Sequence, residues 1–254
     1  VLTFGEVMLR LKTPEHLKIL QADTFEANYG GAEANVAVSL ATLGDDVSYV
    51  TKVPEHQVGQ AAVNEIRRFG VDTSRVLRGG GRVGIYYFEK GTNIRPTSVV
   101  YDRAYSAIAM AKAEEFDWEK LLDGVDLFYF SGITPAISTE IEKALENALA
   151  LCREKKIQVV CDLNYRGKMW STKDAQRVMR RLMAYVDVCI ANDEDFESSL
   201  GIPAYDGDMS RGIEQIESYK EGMLEIQSSR TAKRLRVCCA ISTPWRTATG
   251  WEFT

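Results

Sequence analysis

Residues 127–162 read LFYFSGITPAISTEIEKALENALALCREKKIQVVCD. An apolar run at 127–130 is followed by a helix-forming segment from about Ser138 to Glu154, and then by a second apolar run, Ile157 to Cys161. Strands that are apolar on both faces and joined through a helix are typical of a parallel sheet covered on both sides. The stretch therefore predicts a β-α-β unit of an α/β fold.

The same alternation continues on both sides of this unit. Strand-like runs occupy 47–51 and 186–190, and helical patterns occupy 57–69, 174–183 and a short segment from Asp193. Right-handed crossovers would arrange these elements as a three-layer α/β/α sandwich with a mostly parallel central sheet.

Two segments break the alternation. Residues 8–29 and 82–103 carry strand-like patterns with no helix inside either segment. Such pairs of strands favour a small antiparallel sheet, which we expect to form a lid on a single domain covering residues 1–254. At the start of the second segment, residues 79–84 read GGGRVG and match G-x-G-x-x-G, but a strand follows where a dinucleotide site needs a helix, so a turn is predicted.

Composition bounds the function. The chain has 254 residues, a net charge of −5 and a pI near 5.3, which argues against broad binding of nucleic acids or anionic membranes. No run of about 18 apolar residues occurs, so no membrane span is expected, and no signal peptide is visible. The five cysteines form no C-x-x-C pair and the two histidines lie away from them. We therefore expect reduced cysteines, a cytoplasmic location and no zinc site.

The first candidate site follows the lid segment 8–29. Gly30 and Gly31 open a helix that runs to Leu43 and is closed by Gly44. Paired glycines let a ligand approach the backbone near a helix N-terminus, and Asn35, one turn in, is placed to hydrogen-bond a hydroxyl. From the residues alone, an ordinary helix start explains the pattern equally well.

Two further candidates follow apolar strands. Ser131–Pro135 places Ile133 at the carboxyl end of one strand, where ligands of open parallel sheets bind. Asp162–Trp170 follows the next strand and supplies an amide, Asn164, and a guanidinium, Arg166, which suits a carboxylate or a phosphate. Ordinary βα loops, the second one salt-bridged, are the alternatives.

The lid segment 82–103 carries Tyr86, Tyr101 and Arg103. A tyrosine presents a flat apolar face and one hydroxyl, which suits a sugar. Arg103 together with Arg166 would bring two cations to one pocket, as a sugar carboxylate requires and a neutral hexose does not. The alternative is that these aromatic residues only pack against each other.

An acidic cluster follows the strand 186–190. Asn192 is placed to cap the helix that begins at Asp193, and acidic residues at a helix start are stabilised by the helix dipole. The functional alternative is that Asn192, Glu194 and Asp195 organise hydrated Mg²⁺ and a triphosphate.

Three of these segments resemble the motifs of ribokinase-like (PfkB-type) carbohydrate kinases. They are Tyr29–Ala37, the D-x-N-x-R-x-x-x-W run at 162–170, and an N-x-x-E motif in which Asp195 replaces the glutamate. The resemblance implies ATP and Mg²⁺ as cofactors, bound at Asn192, Glu194 and Asp195. It implies a substrate site formed by Gly30, Gly31, Asn35, Tyr86, Tyr101, Arg103, Ile133, Asn164 and Arg166.

Within that family the likeness is to kinases of 2-keto-3-deoxygluconate (2-dehydro-3-deoxygluconate), which implies transfer of the γ-phosphoryl group to give the 6-phosphate. A neutral-sugar kinase, such as a fructokinase or ribokinase, and an inactive sugar-binding protein are the alternatives. No segment matches the family's G-A-G-D motif, so no catalytic base is assigned, and we expect a truncated product. Leu235–Ile241 resembles the late strand before the nucleotide site. A homodimer through residues 82–103, or a higher homo-oligomer, is also expected.

Overall fold

The computed structural model describes residues 1–202 and 232–237, and the chain divides into two compact units, Val1–Asp117 and Trp118–Thr254. The expectation of one domain over residues 1–254 stays a prediction.

The first unit contains eight strands, two α-helices and two short 3-10 helices, Ile19–Gln21 and Ala113–Glu115. In chain order the strands and α-helices are β1 (Leu2–Phe4), β2 (Met8–Lys12), β3 (Glu26–Gly30), α1 (Ala32–Leu43), β4 (Ser48–Val50), β5 (Lys52–Val53), α2 (Gln57–Arg67), β6 (Leu77–Arg78), β7 (Gly84–Glu89) and β8 (Ser98–Asp102). The strands β1 and β4 pair in parallel, as do β5 and β6. Helix α1 ends at Gly44, whose left-handed conformation (φ 100°) closes the helix as expected.

A four-stranded sheet, hereafter the small sheet, has the order β3-β2-β7-β8 and comes from the two segments that lack helices in the sequence. Its outer pairs, β2·β3 and β7·β8, are antiparallel, and the central pair, β2·β7, is parallel. Since side chains alternate between the faces of a strand, this register places Arg10, Tyr86 and Tyr101 in one row across three strands.

The glycine-rich run at 79–84 is a turn, as predicted. Gly79 and Gly80 have φ of 135° and 83°, and β7 begins at Gly84. The first two glycines are required because side chains rarely adopt these conformations. With a strand in place of the helix, the run is not a dinucleotide-binding fingerprint.

In the second unit, strands and helices alternate as the sequence predicts. The elements are α3 (Trp118–Leu121), β9 (Leu127–Ser131), α4 (Thr139–Lys155), β10 (Gln158–Asp162), α5 (Thr172–Leu182), β11 (Val186–Ala191), α6 (Asp193–Leu200) and β12 (Ala232–Val237). The strands run in the order β12-β11-β10-β9 and all three pairings are parallel. Strand β12 overlaps the late strand expected at 235–241, and the rest of that segment lies outside the described residues.

Helix α4 shows why the decisive stretch folds as it does. The Ser138 hydroxyl accepts a hydrogen bond from the Ile141 N–H at 3.3 Å and caps the helix start. Ile141, Leu145 and Leu149 recur at helical spacing and are fully buried. Burial of each such side chain contributes about 1.5–3 kcal/mol, so this apolar stripe, more than intrinsic propensity, fixes α4 in place.

In the described part of the chain, no helix combines the length and the apolar character that crossing a membrane requires.

Candidate functional site

The N-terminus of α1 is built on a close backbone approach. Gly31 precedes the helix, and a Cβ atom added there would lie 2.0 Å from the carbonyl oxygen of Glu6. Gly30 is less restricted, since its nearest neighbour would be the Asn35 side chain at 3.3 Å. Asn35 is exposed one turn into the helix, and its N–H donates to the Gly31 carbonyl at 2.8 Å. Gly31 is therefore required by the packing of the chain itself.

Arg103, which follows β8, belongs to a buried cluster. Its Nη2 donates to Oε2 of Glu6, while Oε1 of Glu6 accepts from the Ser106 hydroxyl at 2.7 Å. Glu6 is 3% exposed and the Arg103 side chain is 17% exposed. The carboxylate of Glu6 thus compensates the positive charge of Arg103 within the protein. The backbone carbonyl of the same residue lies against Gly31.

The aromatic row of the small sheet is an ordered surface. The rings of Tyr86 and Tyr101 are 5.9 Å apart, and the Arg10 guanidinium lies 4.8 Å from the centre of the Phe88 ring. Burial raises the pKa of the Tyr86 hydroxyl, and the hydrogen-bonded Arg10 guanidinium opposes that shift. Tyr101 stays exposed. The pair offers one half-buried and one exposed ring, each with its hydroxyl, an arrangement suited to a sugar.

In the second unit, the segments after β9 and β10 cross closely. The Gly132 N–H donates to the carbonyl of Asp162 at 2.8 Å, and a Cβ on Gly132 would lie 2.1 Å from the carbonyl oxygen of Leu163. Ile133 is half-buried, and its N–H donates to the Ser131 hydroxyl at 3.1 Å. Gly132 thus sets the position of Ile133 beside the carboxyl end of β10.

The loop after β10 presents Arg166 to solvent. The Leu163 N–H donates to the Ile190 carbonyl at 2.9 Å, and Asn164 takes a left-handed conformation with φ 38°. Asn is one of the few residues that tolerate this conformation. Arg166 then lies exposed, with Nη1 donating to the Tyr165 carbonyl at 2.9 Å.

The acidic cluster divides into structural and exposed members. Asn192 caps α6, because its Oδ1 accepts from the Asp195 N–H at 2.8 Å. Asp195 is 7% exposed, and its Oδ1 accepts from the Tyr165 N–H at 2.8 Å. Burial raises the pKa of the Asp195 carboxyl, against the lowering effect of the Tyr165 N–H and of the Arg166 charge. Glu194 is exposed.

These contacts bear on where Mg²⁺ could be held. Among the described residues, no group of three or more His, Cys, Asp or Glu side chains is arranged to hold a metal. Protein sites for nucleotide-bound Mg²⁺ use one or two carboxylates, phosphates and water. Glu194 fits such a site as an exposed carboxylate, whereas Asn192 and Asp195 already bind backbone N–H groups.

This geometry shows which of the expected site residues lie close to one another within each unit. In the first unit, the structure brings Gly31 and Arg103 to a shared neighbour, Glu6. In the second, it brings the loops of Ile133, Arg166 and Asp195 together through backbone hydrogen bonds. Arg103 and Arg166 belong to different units, so their convergence on one substrate stays a prediction.

Sequence reasoning did not single out Glu6 or Ser106. The only signal for Glu6 was a charged residue two positions after the buried strand β1, and nothing in the sequence indicated that it pairs with Arg103, 97 positions away.

Comparisons with known proteins agree with this architecture. The pfkB family carbohydrate kinase profile matches residues 1–230. The 2-dehydro-3-deoxygalactonokinase of Haloferax volcanii is 36% identical over 208 residues, which are 82% of this chain and 64% of that enzyme. The chain thus spans just under two thirds of the length of this curated relative.

Two crystal structures are also similar. That of 2-dehydro-3-deoxygluconokinase from Thermotoga maritima has a TM-score of 0.87 at 49% identity, and covers 93% of this chain and 70% of that chain. That of fructokinase with bound ATP from Xylella fastidiosa has a TM-score of 0.74 at 20% identity, covers 93% and 71% of the respective chains, and shows the fold alone. The predicted ribokinase-like α/β class, with a mostly parallel sheet and a small second sheet, is confirmed.

Proposed function

Because the chain belongs to the pfkB family of carbohydrate kinases, we propose that it serves in the ATP-dependent phosphorylation of 2-keto-3-deoxygluconate to its 6-phosphate. The observation that carries the proposal is the guanidinium of Arg166, exposed beyond the carboxyl end of β10 in a loop with the D-x-N-x-R-x-x-x-W pattern. A planar guanidinium binds a carboxylate through two parallel hydrogen bonds. The 49% identity with the Thermotoga kinase supports the same substrate class.

The remaining substrate contacts are proposed from the resemblance of these segments to the family motifs. Tyr86 and Tyr101 would cover a face of the sugar, while Arg103 would bind the carboxylate with Arg166. The sugar hydroxyls would lie against Gly30, Gly31, Asn35, Ile133 and Asn164.

ATP is proposed as the phosphoryl donor, with Mg²⁺ neutralising charge on its phosphates. Glu194 would hold the hydrated ion through water, and Asn192 and Asp195 would keep the start of α6 in place beneath it. Membership of the pfkB family of carbohydrate kinases supports a nucleotide as the donor.

The substrate class is tested by Arg166→Ala, with Arg177→Ala as the control. Arg177 is an exposed arginine of the same unit, and its Nη2 lies 3.8 Å from Oδ1 of Asp174 on the same helix. A hydrogen bond to a charged group contributes about 1.5–3 kcal/mol, so affinity for 2-keto-3-deoxygluconate should fall roughly tenfold to a hundredfold in the Arg166 variant alone. Calorimetric titration with the sugar acid, and with fructose, measures this.

The titration separates the alternatives. Equal fructose binding by the wild type and the Arg166 variant, with no binding of the sugar acid, would indicate a neutral-sugar kinase. Sugar binding without any sugar-dependent formation of ADP would indicate a binding protein.

We also propose a cytoplasmic homodimer. The buried cysteines Cys152 and Cys189 are free thiols, which suits a reducing compartment. Strand β8 is an edge of the small sheet, and Val100 on it is 50% exposed. A second copy could pair along this edge. Light scattering at micromolar concentration should give twice the chain mass, and Val100→Lys should shift it toward the monomer; a monomeric wild type contradicts the proposal.

A further inference from the structure

We propose that Glu6 is a positioning residue of the sugar-acid site, which fixes the orientation of the Arg103 guanidinium before substrate binds. The proposal rests on the proposed function, in which Arg103 binds the substrate carboxylate. Glu6 itself would not touch the substrate.

The Glu6 carboxylate is held at both oxygens. Oε2 accepts from Nη2 of Arg103, and Oε1 accepts from the Ser106 hydroxyl at 2.7 Å. The Ser106 N–H in turn donates to the Arg103 carbonyl at 3.3 Å, so side chain and backbone of the same segment close a loop around Glu6. On the other side, the Tyr49 hydroxyl donates to the Gly5 carbonyl at 2.9 Å and fixes the peptide that precedes Glu6. A carboxylate anchored in this way cannot rotate without breaking one of its bonds.

Glu6 also joins three segments that carry proposed sugar contacts. The carbonyl oxygen of Glu6 lies only 2.0 Å from the position that a Cβ on Gly31 would take. Its Oε1 lies 2.7 Å from the position of a Cβ on Gly84, the first residue of β7 and two positions before Tyr86. Its carboxylate holds Arg103, beyond β8. The start of α1, the start of β7 and the end of β8 therefore share one neighbour.

Burial explains why this arrangement would matter for binding. A charge as buried as Glu6, at 3% exposure, is retained in proteins when it is paired and hydrogen-bonded. Pairing during folding orders the long Arg103 side chain in advance, so this ordering does not have to occur when the substrate binds. Preorganisation of this kind raises affinity without adding a contact.

The proposal is tested by calorimetric titration of 2-keto-3-deoxygluconate into the wild type, Glu6→Gln and Ser106→Ala. Glu6→Gln keeps the shape but removes the charge that holds Arg103. Ser106→Ala keeps the charges of Glu6 and Arg103 and removes only the hydrogen bond to Oε1 of Glu6. This variant keeps the proposal testable if Glu6→Gln fails to fold. We expect affinity to fall tenfold or more for Glu6→Gln and severalfold for Ser106→Ala. Glu115→Gln is the matched control, because Glu115 pairs with Lys52 in the same unit, and its affinity should stay within twofold.

Two readouts separate positioning from a merely structural role. The affinity for ATP should be unchanged in all variants. Glu6→Asp, which keeps the charge but draws it back by one methylene, should also lose affinity for the sugar acid.

If the wild type binds the sugar acid and Glu6→Gln and Ser106→Ala both stay within twofold of it, the positioning role is overturned and the proposed function stands. If the wild type does not bind the sugar acid, the proposed function fails first, and the role of Glu6 fails with it.

Discussion

The two candidate regions hold their arginines in opposite ways. Arg103, in the first unit, is paired with a carboxylate that is 3% exposed, and its own side chain is 17% exposed. Arg166, in the second unit, is exposed and donates to the carbonyl of its neighbour, Tyr165. One guanidinium is partly buried and paired with a buried carboxylate, and the other lies on the surface of a loop.

This contrast in exposure indicates what each arginine could contribute to binding. A buried pair has no net charge, so Arg103 would act through orientation and directed hydrogen bonds. An exposed guanidinium keeps its full charge, so Arg166 would supply the attraction to an anion, and that attraction would weaken with salt. If this is correct, the two arginines should respond very differently to the same substitution.

The largest expected effect is on stability, from Arg103→Ala. Removal of one partner leaves the buried Glu6 carboxylate unpaired, which typically costs about 3–5 kcal/mol. Arg166→Ala should cost less than about 1 kcal/mol, since exposed charges contribute little. Urea unfolding of both variants gives the two free energies.

A companion variant identifies the cause. The double variant Glu6→Gln, Arg103→Ala removes the charge as well as its partner, and should recover part of the stability lost by Arg103→Ala alone. Equal losses for Arg103→Ala and Arg166→Ala would show that the two regions do not differ as described.

The second prediction concerns a feature that the two regions share. Both Gly31 and Gly132 lie against a backbone carbonyl oxygen. A Cβ on Gly31 would be 2.0 Å from that of Glu6, and a Cβ on Gly132 would be 2.1 Å from that of Leu163. A backbone cannot move aside as a side chain can, so alanine at either position should destabilise the fold by about 1–3 kcal/mol. Gly30→Ala is the control, because its Cβ would meet only the exposed Asn35 side chain, at 3.3 Å. A cost at Gly30 as large as at Gly31 would argue against backbone crowding as the cause.

The sequence contained most of the fold because its signals were local. Apolar strands and capped helices repeat along 127–200, and the observed elements, such as α4 at Thr139–Lys155, lie within a few residues of the expected ones. The central parallel pair of the small sheet, β2·β7, was not foreseen, because a pairing across about 75 positions is set by tertiary packing and leaves no local pattern.

The site was predictable to a lesser degree, for the same reason. Asn192 was expected to cap α6 and does so. The structural role of Asp195, which accepts a hydrogen bond from the loop after β10, was not visible in the sequence. Its partner is the N–H of Tyr165, 30 positions earlier. Backbone donors carry no sequence signature, so a buried carboxylate bound to one resembles any other acidic residue until the chain is folded.

The smallest expected effect concerns Asp195 and pH. Burial holds its pKa above the ordinary value of 3.8, so the folded state binds the proton more tightly than the unfolded state. The contribution of Asp195 to stability is therefore greatest below pH 3.8 and falls as pH rises from there through the folded-state pKa. Asp195→Asn does not titrate, yet its amide oxygen still accepts from the Tyr165 N–H. The stability of the wild type relative to this variant should thus decrease with rising pH and then level off, as chemical unfolding at several pH values would measure. A difference that instead grows with pH would mean that the Tyr165 N–H and the Arg166 charge outweigh burial, and would make Asp195 a charged partner of Arg166, as Glu6 is of Arg103.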